Sequence, residues 1–158
     1  MPVLVRALTY AVLFVGLILV FVPARLLSWS GISPSEELGP TQAAGIVVAL
    51  AGAALALWCL LAFVRLGRGT PAPFDPPRRL VIRGPYRFVR NPMYLGAGLA
   101  LGGAALCYRS LPLLAYTGLL LLAAHLFVVF YEEPRLRRTF GAEYDGYCRT
   151  VGRWVPRR

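Results

Sequence analysis

The stretch "LPLLAYTGLLLLAAHLFVVFYEEPRLRRTF", residues 111–140, runs for 21 residues without Asp, Glu, Lys or Arg and then turns abruptly polar. A helix of 21 residues is about 31 Å long, which matches the hydrocarbon core of a bilayer, roughly 30 Å thick. The stretch therefore predicts a transmembrane helix over residues 111–131. Its end falls where two adjacent carboxylates, Glu132 and Glu133, begin.

Three further apolar runs lie upstream, and 58% of the 158 residues are hydrophobic. We expect an all-α integral membrane protein, a single domain over residues 1–158, with transmembrane helices at residues 7–24, 43–64, 92–108 and 111–131. We expect this domain to begin with an N-terminal helical hairpin, residues 1–66. A cytoplasmic connection follows at residues 67–91, and residues 92–158 form a core with an amphipathic cytoplasmic tail. The run 7–24 follows Arg6 as in a signal peptide, but "SWSG" at 28–31 is a weak cleavage site, so we expect a retained helix.

Charge predicts the orientation. All 17 basic residues are Arg, against seven acidic residues, and most of the Arg fall in the second connection and after residue 131. An excess of Arg marks the cytoplasmic side, so both termini and the second connection are expected there. This grouping explains the net charge of +10 without nucleic-acid binding. The absence of Lys suggests a GC-rich genome and hence a bacterial inner membrane.

The carboxylate pair has two interpretations. The C-terminus of a helix carries partial negative charge, so two acids there are unfavourable unless they serve a function. Alternatively, Pro134 begins a new helix, and Glu132 and Glu133 form its first turn, where Arg135, Arg137 and Arg138 could pair with them. In the tail, Gly141 predicts a break between one or two short amphipathic helices, whose apolar positions are Leu136, Phe140, Tyr144, Tyr147 and Val151.

His125 is the other polar residue of the fourth apolar run. It lies two helical turns before Glu132, on nearly the same face. It is either a functional group or a neutral histidine hydrogen-bonded between helices. The three cysteines show neither CxxC nor His spacing, so we expect no metal site and no disulfide.

The second connection ends in "GPYRFVRNPMYLG", residues 84–96. Four prolines in residues 71–77 exclude a helix there, and an ordered, proline-stiffened loop is often functional. Asn91 is a candidate N-cap, and Pro92 suits the first helical turn. Gly98 and Gly102 have GxxxG spacing, which predicts either tight packing of the third helix on the fourth or room for a flat ligand.

Together, the Pro/Arg connection, the glycine-rich third run and "EEPRLRRTFGAEYDGY" resemble the superfamily of isoprenylcysteine carboxyl methyltransferases and phospholipid methyltransferases. The resemblance covers residues 69–157. It implies an S-adenosylmethionine site built without a Rossmann fold, and the chain has no GxGxxG after a strand. The cofactor-binding positions that it implies are Arg78, Arg79, Leu80, Val81, Tyr86, Asn91, Pro92, Met93, Tyr94 and Glu132.

Two positions depart from the isoprenylcysteine enzymes. Asn91 stands where those enzymes usually have His, and Val128 stands where they place a substrate-binding Arg. A carboxylate acceptor loses its natural partner at the second position.

The implied reaction is methyl transfer from S-adenosylmethionine to a lipophilic or lipid acceptor that enters between the third and fourth helices, with S-adenosylhomocysteine as the product. Positioning and exclusion of water would supply most of the catalysis. A base is needed only for a protonated amine or thiol, and the candidates are Glu133 and His125. The rival readings are an NADPH-dependent sterol-type reductase and a non-catalytic lipid-binding protein. The acceptor and the oligomeric state stay open.

Overall fold

The computed structural model describes residues 16–31, 39–62, 65 and 79–157. In this part of the chain the regular structure is helical, and the one bridge between extended residues joins Val89 to Gly152 in parallel. The prediction of an all-α protein is confirmed. The helices are α1 Gly16–Trp29, α2 Pro40–Ala62, α3 Pro92–Cys107, α4 Leu111–Phe127, α5 Glu133–Phe140 and α6 Ala142–Thr150, with a short 3₁₀ turn at Gly84–Arg87 and a π turn at Val128–Glu132.

Within the described residues, two helices are long and apolar enough to cross a membrane. They are Pro40–Ala62, with 23 residues, and the continuous helix Leu111–Phe140, with 30. Their apolar side chains point largely outward, as Leu50 at 65% and Leu119 at 66% exposure illustrate, which suits a lipid environment. α1 and α3 are shorter apolar helices, so four spans and the orientation of the termini remain predictions. Residues 7–15 of the first predicted span lie outside the described residues, and α1 continues past residue 24 to Trp29.

Glycines bring α2 and α3 into backbone contact. Gly45 and Gly52 on α2, and Gly96 and Gly103 on α3, are each spaced two helical turns apart and face the other helix. A Cβ on Gly45 would lie 2.5 Å from the backbone nitrogen of Cys107, and one on Gly96 would lie 2.8 Å from that of Ala56. These helices therefore pack more closely than side chains would allow.

This packing corrects part of the GxxxG interpretation. Gly98 does face the fourth apolar run, where an added Cβ would meet the side chain of Leu121. Gly102 has nothing within 4 Å of such an atom. The closest glycine contacts of α3 are with α2, because Gly45 and Gly52 of α2 have the same two-turn spacing as Gly96 and Gly103 of α3.

α1 packs against α4. The hydroxyl of Tyr116 donates a hydrogen bond to the carbonyl of Ile18 at 2.9 Å. Leu19 and Leu27 pack against the buried cluster that includes Leu101 and Leu113. The helix pair α3–α4 is thus enclosed by α2 on one side and α1 on the other.

A π turn lets the fourth helix continue through Pro134. In a regular α-helix the ring of Pro134 would clash with the carbonyl of Phe130, four residues earlier. The wider turn over Val128–Glu132 directly precedes Pro134, and the long helix runs on to Phe140. Gly141, at φ +52°, then ends α5, which confirms the predicted break and gives two short helices.

The carboxylate pair agrees with neither interpretation in full. Glu133 is the first residue of α5, as the second interpretation required, but Glu132 belongs to the preceding turn and caps nothing with its side chain. The expected partners were Arg135, Arg137 and Arg138. The ion-pair partners of Glu133 come instead from distant parts of the chain, Arg90 and Arg153.

We expect Gly103→Ala to lower the free energy of unfolding in detergent by about 1–3 kcal/mol, because the new methyl group would press on the backbone of α2 near Ala49. Gly102→Ala, at the next position of the same helix, is the matched control. It meets open space, so it should leave the protein as stable or stabilise it by roughly 0.5–1 kcal/mol. Thermal unfolding of both variants checks this, and equal effects would contradict the backbone contact.

Candidate functional site

Tyr94 and Glu132 meet at the end of the long apolar run. Tyr94 lies in the first turn of α3, and Glu132 is the last residue of the π turn. The hydroxyl of Tyr94 donates a hydrogen bond to Oε2 of Glu132 at 3.1 Å. Two of the predicted cofactor-binding residues are thus in direct contact, although 38 positions separate them.

Glu132 has no guanidinium partner among the ion pairs of the described ranges. Burial raises the pKa of its carboxyl group, the hydrogen bond from Tyr94 lowers it, and the charge of Glu133 raises it again. The net result is a pKa above the ordinary value. Glu132 is therefore a half-buried acid that a cationic or hydroxyl-bearing ligand would stabilise in its charged form.

Glu133 has the opposite environment. Its carboxylate accepts two hydrogen bonds from Arg153, at 2.7 Å from Nε and 2.9 Å from Nη2, and lies 3.1 Å from Nη1 of Arg90. Burial alone would raise its pKa, but the hydrogen bonds from Arg153 and the nearby positive charges outweigh burial, and the pKa is lowered. This geometry makes Glu133 a structural anchor and a weak proton acceptor, which speaks against the predicted role as a base.

Residues 151–155, which we call the C-terminal strap, are bound to the segment that precedes α3. The backbone N–H of Arg90 donates to the carbonyl of Gly152 at 2.9 Å, and the side-chain amide of Asn91 donates to the carbonyl of Arg153 at 3.2 Å. Asn91 is buried and occupies the N-cap position of α3, as predicted, but its side chain makes no capping hydrogen bond. Its amide holds the strap instead.

Trp154 of the strap lies between His125 and Tyr94. Its indole N–H donates to Nδ1 of His125 at 3.0 Å, and its ring meets the ring of Tyr94 edge-on, with centroids 6.3 Å apart. A ring nitrogen that accepts a hydrogen bond carries no proton, so the neutral imidazole has its proton on the other nitrogen and its lone pair engaged. This fits the second interpretation of His125, a neutral hydrogen-bonded histidine, better than a base.

Three predicted residues form an apolar wall next to Glu132. Val81 and Tyr86 are buried in one cluster with Cys59, and Met93 packs against it. Burial is the main reason that the pKa of the Tyr86 phenol is raised, and the electrostatic interactions with Cys59 and then with Glu132 raise it further. The hydroxyl of Tyr147 on α6 donates to the backbone carbonyl of Tyr86 at 2.6 Å, which closes the wall from the tail side.

The remaining predicted residues are spread around this wall. Pro92 is fully buried in the first turn of α3, as predicted. Arg79 is exposed, and Leu80 is half-buried and lines an open groove of about 390 Å³ together with Tyr147 and Val151. Arg78 lies outside the described residues.

Sequence reasoning missed Arg90, Arg153 and Trp154. Arg90 and Arg153 had served only as part of the Arg distribution that predicts the orientation in the membrane. They are 63 positions apart, so local spacing gives no reason to expect that they share a partner. The one available signal was the tail "VGRWVP", where Trp154 belongs to a short apolar stretch within an Arg-rich terminus.

We expect Glu133→Gln to release the strap, because the change leaves Arg90 and Arg153 without their shared carboxylate. Removing one partner of a buried ion pair costs about 3–5 kcal/mol, whereas exposed pairs contribute about 0–1 kcal/mol. The matched control is Asp145→Asn, which breaks the exposed pair with Arg137 at 3.2 Å. Hydrogen exchange of residues 151–157 should accelerate strongly in the first variant alone.

Docking of the strap should also depend on pH. Because the folded pKa of Glu133 is lowered from 4.5, its contribution is fully present above that pH and is lost as the pH falls through the lower folded value. Trp154 fluorescence, recorded with Trp29 and Trp58 replaced by Phe, should be constant from about pH 7 to 5 and change in stronger acid. Glu133→Gln should lack that transition, and a transition of the same size in this variant would contradict the assignment.

Comparison with known proteins bears on this site. The family model described as phospholipid methyltransferase matches residues 40–143, a range that includes Tyr94, His125 and both carboxylates. No curated protein and no solved structure shows a significant match to the chain. The matched range covers well over half of the 158 residues. The chain belongs to the phospholipid methyltransferase family, within the superfamily of isoprenylcysteine and phospholipid methyltransferases.

Proposed function

We propose that this protein transfers a methyl group from S-adenosylmethionine to a lipid or other lipophilic acceptor at the membrane surface. The family suggests a membrane methyltransferase that acts on lipid-like substrates, and its members generally depend on S-adenosylmethionine. The observation that carries the proposal is the contact between Tyr94 and Glu132, since it leaves a half-buried carboxylate that pairs with no Arg in the described ranges.

The residues around Glu132 fit S-adenosylmethionine. This cofactor has a cationic sulfonium, an ammonium group, a ribose diol and an apolar purine. Glu132 can accept hydrogen bonds from the diol or the ammonium group, the ring of Tyr94 suits a cation, and Val81 with Leu80 can contact the purine. The proposed cofactor-binding residues are Arg79, Leu80, Val81, Tyr86, Asn91, Pro92, Met93, Tyr94 and Glu132.

Within that set the contributions differ. Tyr94 and Glu132 present polar atoms, and Val81 with Met93 presents an apolar wall. Asn91 and Pro92 are buried, so they act by holding the backbone and the strap.

When bound, S-adenosylmethionine supplies an activated methyl group, whose bond to sulfur breaks as the lone pair of the acceptor forms the new bond to carbon. The protein's part is then to align the two reactants and exclude water. The C-terminal strap and α6 serve this purpose, because they cover the segment from Tyr86 to Tyr94.

The charges around the site favour an acceptor whose nucleophile is already unprotonated and carries no negative charge. Val128, at the position where a carboxylate acceptor would need Arg, is buried, and both Arg90 and Arg153 are engaged by Glu133. Glu133 and His125, the two candidate bases, both have their acceptor atoms occupied. A neutral amine on a lipid headgroup meets these conditions better than a carboxylate.

The location of the reaction follows from the charge pattern. The segment before α3 and the tail carry most of the Arg, so we propose that the site faces the cytoplasm, in a bacterial inner membrane. A lipid acceptor that enters between α3 and α4 would bring its headgroup to the π turn after α4, where Glu132 lies.

Calorimetric titration of the detergent-solubilised protein with S-adenosylmethionine and S-adenosylhomocysteine tests the proposal. We expect micromolar binding to the native chain and a loss of about ten- to a hundredfold in Glu132→Ala, because a hydrogen bond to a charged group contributes about 1.5–3 kcal/mol. Tyr94→Phe should lose less, and the double variant should not bind detectably.

The matched control is Tyr131→Phe, since Tyr131 is exposed in the same π turn and its hydroxyl accepts from Arg135. It should bind like the native chain. Unchanged binding in a folded double variant would refute the site. Failure of both ligands in folded native protein would refute the function: oxidation of NADPH would then identify a reductase, and its absence together with lipid binding would identify a non-catalytic lipid-binding protein.

A further inference from the structure

Trp154 lies next to the proposed cofactor site, against the ring of Tyr94, and has not been given a role in that site. It lies outside the range that the family model matches, residues 40–143. Its ring is nonetheless held in a defined orientation, because the indole N–H is bonded to His125 and the preceding residue, Arg153, is clamped to Glu133. Binding residues need this kind of support, because a ring that is held in place by its neighbours loses little freedom when a ligand binds.

The ring of Trp154 completes an aromatic corner beside a carboxylate. The planes of Trp154 and Tyr94 are inclined at 61°, so the two rings meet edge to face and do not stack, and the Trp154 ring also lies 6.0 Å from the ring of His125. Tyr94 is bonded to Glu132, and all three residues are half-buried, so none is sealed from a ligand. Two aromatic rings and a carboxylate at one corner make a favourable site for a cation, since the faces of the rings carry negative potential.

The nearby positive charges do not cancel this potential. Arg153 and Arg90 both direct their guanidinium groups to Glu133. The carboxyl group of Glu132 is thus left for a ligand, since among the described parts of the chain no guanidinium forms an ion pair with it.

We propose that Trp154 is a further cofactor-binding residue, whose ring together with that of Tyr94 binds the cationic sulfonium of S-adenosylmethionine. This inference rests on the proposed function. It assigns the C-terminal strap a chemical task, which is to distinguish the cofactor before transfer from the product after transfer. S-adenosylhomocysteine is a neutral thioether at the same atom, so it lacks the attraction to the aromatic corner and is released more readily.

The test compares the affinities of the two ligands in variants of Trp154. In Trp154→Leu, which keeps an apolar side chain without a π face, we expect the affinity for S-adenosylmethionine to fall on the order of tenfold more than the affinity for S-adenosylhomocysteine. Trp154→Phe keeps an aromatic face but loses the N–H donor to His125, and it should retain most of the preference for the cation. Calorimetry measures both ratios without any acceptor.

Trp29→Leu is the control for replacing an exposed tryptophan, and it should leave both affinities unchanged. An equal loss of both ligands in Trp154→Leu, with no recovery in Trp154→Phe, would show that Trp154 only supports the structure and would overturn the inference. If the native protein binds neither ligand, the proposed function itself fails, which is a separate result. Thermal unfolding of each variant confirms that it is folded when the ratio is measured.

Discussion

The arrangement of the site depends on one buried carboxylate, that of Glu133. It is shared by Arg153 from the C-terminal strap and Arg90 from the segment before α3. A buried carboxylate is costly unless cations and hydrogen-bond donors surround it, and the donors here come from opposite ends of the second half of the chain. The requirement to satisfy Glu133 therefore brings the strap, the segment before α3 and the end of α4 together.

Two adjacent carboxylates acquire opposite properties in this arrangement. Pro134 requires a local departure from α-helical geometry, and the π turn over Val128–Glu132 meets that requirement. Glu132 then reaches Tyr94 on α3, while Glu133 reaches the two arginines. The first has a raised pKa and no guanidinium partner among the ion pairs of the described ranges, whereas the second has a lowered pKa and ties the strap to the segment before α3. Pairs of acids whose environments separate their pKa values are typical of functional sites.

The scaffold beneath the site is simpler. Glycines at two-turn spacing on α2 and α3 place the backbones in contact, and α1 covers α4. This packing sets the first turn of α3, and hence Tyr94, against the end of α4. The outward leucines suit a lipid environment, in keeping with membership of the phospholipid methyltransferase family.

The sequence by itself determined the helical class and the family resemblance, and it singled out Tyr94 and Glu132 as candidate site residues, because apolar length, proline position and short motifs are local properties. The break at Gly141 was predictable for the same reason. Only the tertiary structure decided that Glu133 anchors the strap, that the side chain of Asn91 at the N-cap position binds Arg153 and not the backbone of α3, that His125 accepts from Trp154, and that α3 packs most closely on α2. Each of these depends on which groups a buried polar atom or a glycine meets from a remote part of the chain. Local spacing carries no record of those partners.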